Sequence, residues 1–378
     1  MQKVAGIVAE YNPFHRGHAY HIAETRRLLG EDCAVLSIMS GDFVQRGDVA
    51  VFDKFARAEM AVRGGADLVL ELPLSWCLSP AEAFAHGAVS LLESTGVVTH
   101  LSFGSECGDL SRLLAASEAQ RTPAFLEAFH SALASGVSYP RAQEIAARSA
   151  APQIAELLTQ PNDTLALQYL QALWAIESEI IPVAVPRVGA GHDAAGESDY
   201  PSASWLRERL RAGERVSAWV PHLPEAEPVF LADLEIAILS RLRMLPKAAF
   251  AALPGNSEGL ENVLYKAVHS AATLDEILAA AKSKRYPMSR LRRMLLSAAL
   301  GLRCGLNPWY LRVLAANEQG RAILHDMRKT ATLPVITKPA DARENEAFRL
   351  TADAHDLYVL AQPNKTPGQD WRRSPVML

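Results

Sequence analysis

The run Gly6-Ile7-Val8-Ala9-Glu10-Tyr11-Asn12-Pro13-Phe14-His15-Arg16-Gly17-His18-Ala19 decides the fold. Val4 to Ala9 is short, apolar and rich in β-branched residues, which reads as a first strand, and Asn12-Pro13 breaks it. Helical periodicity begins near His18, with Ile22, Ala23 and Thr25-Arg26 following. The two histidines thus fall at a helix N-terminus, where unpaired backbone N–H groups and the helix dipole favour an anion. Positions three apart on a helix share a face, so both imidazoles can reach one triphosphate. Gly17 lets the backbone approach such a ligand closely.

Working outward, strands and helices alternate. Ala34 to Met39, Asp67 to Leu72 and His100 to Phe103 read as strands, and Lys54 to Arg63 and Pro80 to Leu92 show helical spacing. This alternation predicts an α/β, Rossmann-like, doubly wound parallel sheet, in which ligands bind beyond the carboxyl ends of the strands. The loops there are Ser40 to Gly47, containing Gln45 and Arg46, and Gly104-Ser105-Glu106. Turn chemistry alone also explains their Gly, Ser and Asp. Leu110 to about Ala175 reads as helical, an insertion or a separate lobe, with a break at Gln160-Pro161-Asn162-Asp163 where Asn162 suits an N-cap. Ile180 to Val185 reads as a fifth strand. Pro186-Arg187, the loop Gly189 to Asp193 and the string Ser202-Ala-Ser204-Trp-Leu-Arg207 follow it. That string also fits an ordinary helix cap with a surface arginine.

Beyond about Gly213 the strand pattern is lost and the remainder reads as helical, so residues 1–215 and 216–378 are taken as two domains. From Ile277 to Asn317 there is no acidic residue, while Lys282, Lys284, Arg285, Arg290, Arg292, Arg293, Arg303 and Arg312 are basic. Leu291, Met294, Leu295, Ala298 and Leu302 give this segment one apolar face and leave arginines on the others. Charge alone suits a phosphate-backbone partner and a plain solvated helix about equally.

Composition sets the bounds. The 378 residues are 49% hydrophobic and 21% charged, enough for two or three domains with real cores. A net charge of −4 excludes any global attraction to nucleic acid or anionic membrane, so such binding needs a local patch. Cys33, Cys77, Cys107 and Cys304 lack Cys-x-x-Cys spacing, against both a disulfide framework and a zinc site. The first strand starts almost at once, without room for a signal peptide, and no apolar run spans a bilayer. A cytoplasmic protein without membrane attachment is expected, and no protein partner is inferable.

The His15-x-Gly17-His18 string resembles the signature of the HxGH nucleotidyltransferase superfamily, and Ser202-x-Ser204-x-x-Arg207 resembles its second signature. Closer still, Gly6 to His18, Met39 to Gly47, Asp53-Lys54 with Arg57-Ala58, Gly65 to Pro73, Phe103 to Glu106 and Pro161-Asn162 are similar to the tRNA(Met) cytidine acetate ligase family. The likeness continues through Lys284-Arg285-Tyr286 to Arg293 and Leu311 to Leu314. The resemblance implies a ligase that makes acetyl-adenylate from acetate and ATP and acetylates the wobble cytidine of elongator tRNA(Met), giving N4-acetylcytidine.

By the same resemblance, the ATP site comprises Gly6 to Ala19, Gly104, Asn162 and Arg187. His15, His18 and Arg207 act on the phosphates, and Ser202 and Ser204 stand at the triphosphate or Mg²⁺ edge. Mg²⁺ is expected on phosphate oxygens rather than in a protein cage. Arg46 and Lys54 are candidates for the acetate carboxylate or for tRNA, and Lys284, Arg285, Arg290 and Arg293 for tRNA. Two departures from the family pattern, no tyrosine before His192 and a tryptophan at position 205, bear on the acceptor pocket. Two other readings are an adenylyltransferase or carboxylate–amine ligase for a small metabolite, and a non-catalytic factor that holds ATP and tRNA.

Overall fold

The structure is a computed structural model that describes residues 2–188, 199–257 and 259–378. The opening run forms β1 (Val4–Ala9) and α1 (Arg16–Leu29), joined through a cis Asn12–Pro13 peptide. Next come β2 (Ala34–Ser40), a two-stranded hairpin of β3 (Phe43–Val44) and β4 (Asp48–Val49), α2 (Lys54–Arg63), β5 (Leu68–Leu72), α3 (Leu74–Cys77), α4 (Ala81–Ser94) and β6 (His100–Ser105). Four helices follow, α5 (Leu110–Ala119), α6 (Pro123–Ala134), α7 (Tyr139–Ala150) and α8 (Pro161–Ala175), and the chain then enters β7 (Ile181–Pro186).

The main sheet centres on β1, parallel to β2 with Ile7 opposite Ser37 and to β6 with Ala5 opposite His100. Strands β2 and β5 are buried along their whole length, the pattern of inner parallel strands covered by helices on both faces. Two of the helices are started by a capping aspartate. Asp53 accepts from the N–H groups of Phe55 and Ala56 to begin α2, and Asp109 does the same for Ser111 and Arg112 of α5.

The chain beyond residue 202 is helical at first, with α9 (Ala203–Arg211), α10 (Glu235–Met244), α11 (Lys247–Ala251), α12 (Leu260–Ser270), α13 (Leu274–Ala281) and α14 (Met288–Leu300). Helices α10 to α14 pack around Leu242, Leu264, Leu291 and Leu295, with the hairpin residues Phe43 and Val49 in the same core, while Leu206 of α9 joins the core of Ile7 and Phe14. The expectation that strands end near Gly213 needs correction. β8 (Leu311–Ala316) returns to the sheet and pairs antiparallel with β5, with Val313 opposite Leu70. After α15 (Glu318–Thr330), β9 (Val335–Ile336), α16 (Glu346–Tyr358) and α17 (Gln369–Arg372), the short β10 (Val376–Met377) adds parallel to β8.

Arg312 hid this strand from a reading of periodicity, since it put a charge in a buried run. It is 1% exposed, so it leaves the surface basic stripe. Arg312 pairs with Glu71 at 3.0 Å and Asp370 at 2.6 Å, and Lys54 pairs with the same two carboxylates at 2.8 and 2.6 Å. Two cations and two anions share one dry pocket, which compensates their desolvation. Beside it, His355 of α16 contacts Asp42 at 2.8 Å. Among the described residues, no helix is long and apolar enough to cross a membrane.

Candidate nucleotide site

His15 is the N-cap of α1. Its Nδ1 accepts from Gly17 N at 3.0 Å, and Nδ1 of His18 accepts from His15 N at 3.2 Å, so the two imidazoles close a reciprocal capping box. With both Nδ1 atoms accepting, each neutral ring carries its proton on Nε2, leaving two N–H donors at a helix N-terminus. The ring centroids lie 3.9 Å apart. Burial drives His15 down to about 3, helped by Arg187 and Arg207, and holds His18 well below the usual imidazole range, helped by His15, Arg187 and His21. Both are uncharged at neutral pH, and an arriving polyanion would favour their protonation.

Arg207 comes from α9. Its guanidinium donates to the Asn12 carbonyl at 2.9 Å and to Ser204 Oγ at 3.0 Å, which locks it beside the first loop. Ser202 is the N-cap of α9, accepting from Trp205 N at 3.2 Å, so the capping reading of the serine string holds while both serines also line the cleft. On the opposite wall Arg187 donates to Asn162 Oδ1 at 3.3 Å, and a Cβ on Gly104 would lie 3.4 Å from the Arg187 side chain.

Asn162 is not the cap of α8. Its N–H groups go to Glu106, which also accepts from Asp163 N at 2.9 Å, while Asp163 accepts from Glu106 N at 2.9 Å. This crossed clasp pins the helix to the end of β6.

The resulting cleft is about 330 Å³ and brings together Ile7, Val8, Ala9, Glu10, Tyr11, Asn12, His15, His18, Arg46, Gly104, Asn162, Arg187, Ser202, Ser204 and Arg207. The other residues of the predicted run serve the scaffold. A Cβ on Gly6 would lie 2.8 Å from Leu92, Phe14 is fully buried against Gly64, and Arg16 N donates to the Trp219 carbonyl. Pro13, Gly17 and Ala19 do not line the cleft either. A Cβ on Gly17 would lie 2.8 Å from the His15 ring, so the glycine makes room for the imidazole.

Lys54 is corrected most clearly. It is fully buried and committed to Glu71 and Asp370, away from the cleft. Trp205 also stays out of the cleft, packing edge-on against Trp219 at 4.9 Å. Lys284 and Arg285 are exposed, and Arg290 donates to Gly255 O and Ser257 Oγ. Arg293 reaches the other way and donates to Gln45 O at 3.2 Å. Gly191, His192 and Asp193 lie outside the described residues.

Sequence reading missed His21, Phe84, Phe103, Leu165 and Tyr169, which also line the cleft, and Gln45 joins them from the loop Ser40 to Gly47 that it marked. His21 follows His18 by three and shares its helix face, so its position was readable; it meets Ser102 Oγ at 3.0 Å. Arg57 has no such signal. Fully buried, it donates to the carbonyls of Glu10, Ser40, Gly41 and Phe52, tying together the carboxyl ends of β1 and β2. Among the described residues, no group of three or more His, Cys, Asp or Glu is placed to hold a metal ion.

Residues 1–372 match the HIGH Nucleotidyl Transferase family. The tRNA(Met) cytidine acetate ligase of Caldanaerobacter subterraneus subsp. tengcongensis is 36% identical over 386 residues, covering 95% of each chain. That of Thermoanaerobacter sp. (strain X514) is 34% identical over 394 residues, covering 96% of each. Among solved structures, Thermotoga maritima TmcAL bound with alpha-thio ATP superposes with a TM-score of 0.89 at 31% identity, covering 100% of both chains.

Proposed function

This chain belongs to the tRNA(Met) cytidine acetate ligase family of HIGH nucleotidyl transferases, and from that membership we propose how its cleft carries out the reaction. The enzyme is an ATP-dependent ligase. Acetate attacks the α-phosphate of ATP, pyrophosphate leaves, and acetyl-adenylate forms; the wobble cytidine of tRNA(Met) then takes the acetyl group on N4 and AMP leaves.

One observation carries the first half. Two neutral Nε2–H donors, from His15 and His18, converge with Arg207 and Arg187 on one cleft at the start of α1. Charge develops on phosphoryl oxygens as pyrophosphate departs, and preorganised donors of this kind lower that barrier without a protein nucleophile. Gly104, Asn162 and Arg187 stand on the β6–β7 wall and suit the nucleoside end. Ser202 and Ser204 suit the triphosphate edge.

Mg²⁺ fits as a counter-ion on the nucleotide's own oxygens, because among the described residues the cleft offers hydroxyls and a single carboxylate rather than a protein cage. Bound there it would neutralise phosphate charge. The basic helix α14, with Lys284 and Arg285 ahead of it, supplies the side from which tRNA approaches.

The test is incubation with ATP, Mg²⁺, labelled acetate and bulk tRNA, followed by nucleoside mass spectrometry. Labelled N4-acetylcytidine that disappears on His18→Ala supports the reading. Acetate-independent ATP turnover with no label in RNA would point to a small-metabolite acceptor, and intact ATP binding with no turnover to a non-catalytic factor.

A further inference from the structure

Glu10 is the one carboxylate among the described residues that line the cleft. A carboxylate is a poor neighbour for a triphosphate, yet this one is held in place. Its Oε1 accepts from Gln45 N at 2.8 Å, while Oε2 has no hydrogen-bond partner among the described residues. Arg57 fixes its backbone by donating to the Glu10 carbonyl at 2.5 Å.

The Glu10 carboxylate lies near enough to Arg207 of the phosphate end to favour its charged form. It also acts on Tyr169 of α8, 3% exposed, with no hydrogen bond to its hydroxyl among the described residues and a tyrosine pKa raised by burial and by the Glu10 charge. Phe84 and Phe103, 3% and 4% exposed, and Leu165 line the cleft with it. Gln45, whose N–H donates to Glu10, is also held at its carbonyl by Arg293 of the basic helix. Glu10 is thus tied through Gln45 to the basic helix α14 while it lines the cleft.

The second half-reaction needs a proton acceptor there. The exocyclic amine of cytidine is a weak nucleophile because its lone pair is delocalised into the ring, so it must lose a proton as it attacks. His15 and His18 have spent Nδ1 on backbone N–H groups, and His21 is engaged with Ser102. We propose that Glu10 is the general base for acetyl transfer. N4 attacks the carbonyl carbon of acetyl-adenylate and the C–N bond forms. One N4 proton passes to Glu10 Oε2. The bond from the carbonyl carbon to the phosphate oxygen then breaks, AMP leaves with its electron pair, and Glu10 releases the proton to water. Glu10 is thereby an acceptor-side group rather than a nucleotide ligand. This rests on the acetyl-transfer reading above.

Glu10→Gln keeps an acceptor for Gln45 N but cannot take a proton at neutral pH. Three measurements separate the steps: acetate-dependent exchange of labelled pyrophosphate into ATP, acetohydroxamate formation with hydroxylamine, a nucleophile that needs no base, and single-turnover acetylation at saturating tRNA. The variant should lose at least about 100-fold more in acetylation than in exchange or hydroxamate formation, the range for a general base. Proportional loss of all three, or acetylation within threefold of the parent, overturns the assignment. A parent protein with neither exchange nor labelled RNA would instead overturn the acetyl-transfer reading itself.

Discussion

Arg293 donates to the carbonyl of Gln45 at 3.2 Å across 248 residues of sequence. The contact joins α14 to the loop after β2, and a second close approach reinforces it, since a Cβ on Gly47 would fall 2.6 Å from the Arg293 N. Because Gln45 N donates to Glu10, one residue links the basic helix to the lining of the cleft.

Arg293→Met should therefore act on chemistry as well as on RNA affinity. Burial lowers the guanidinium to about 10, so the charged contact persists through neutral pH and weakens only in base. Loss of this donor costs about 1–3 kcal/mol of stability through the unsatisfied Gln45 carbonyl. Urea unfolding measures that loss, and single-turnover acetylation at saturating tRNA should fall about tenfold, equivalent to roughly 1.4 kcal/mol. An unchanged saturating rate would show that Arg293 serves binding alone.

Asp370→Leu leaves Lys54 and Arg312 facing Glu71 alone in a dry pocket. Breaking a buried ionic group on one side costs about 3–5 kcal/mol. The loss should appear in chemical denaturation, and the double variant Lys54→Met/Asp370→Leu should be more stable than the sum of its single changes predicts. Strict additivity would mean that the four groups do not act together.

Acid should destabilise the free protein from the nucleotide end. His15 at about 3, His21 at about 4 and His18 well below its usual value bind protons more weakly folded than unfolded. Their contribution is fully present above the ordinary value of about 6.5 and is lost as pH falls towards 4 and 3, by about 2 kcal/mol per imidazole at pH 5. His355, raised chiefly by Asp42 against its burial, has the opposite sign: its contribution is full below about 6.5 and is lost as pH rises through its folded value. Three imidazoles outweigh one, so the melting temperature should drop between pH 7 and 5, and pyrophosphate should reduce the drop. A flat profile in free protein would contradict the neutral-imidazole description.

His18→Ala removes one Nε2–H donor and the acceptor for His15 N. Acetate-dependent pyrophosphate exchange should fall about 100- to 1,000-fold, the loss seen when a preorganised donor to developing oxyanion charge is deleted. Exchange retained within tenfold would move the phosphate site elsewhere.

The sheet and its ligand edge were legible from period and punctuation. Val4 to Ala9 is a strand, and His15 and His18 stand at the start of the helix that follows. Two things escaped. β8 escaped because Arg312 breaks an apolar run, and the charges that compensate it lie 241 residues earlier at Glu71 and near the chain's end at Asp370. Arg57 escaped because nothing local marks a guanidinium whose partners are carbonyls from three loops. Lys54 misled for the same reason, a polar residue whose burial depends on residues far away in sequence.

Lys54 and Asp370 are separated by 316 residues, and this separation orders events during synthesis. A nascent chain that has completed β1 to β7 has its histidines and Arg187, but β5 still presents an open edge until Leu311 is made. Lys54 and Glu71 wait for their partners as well. Asp42, which accepts from Lys54 N at 2.8 Å, waits for His355. Making residues 355 to 370 and anchoring the far ends of these buried pairs are one event, and a product that stops short of them lacks the partners of Lys54 and Asp42.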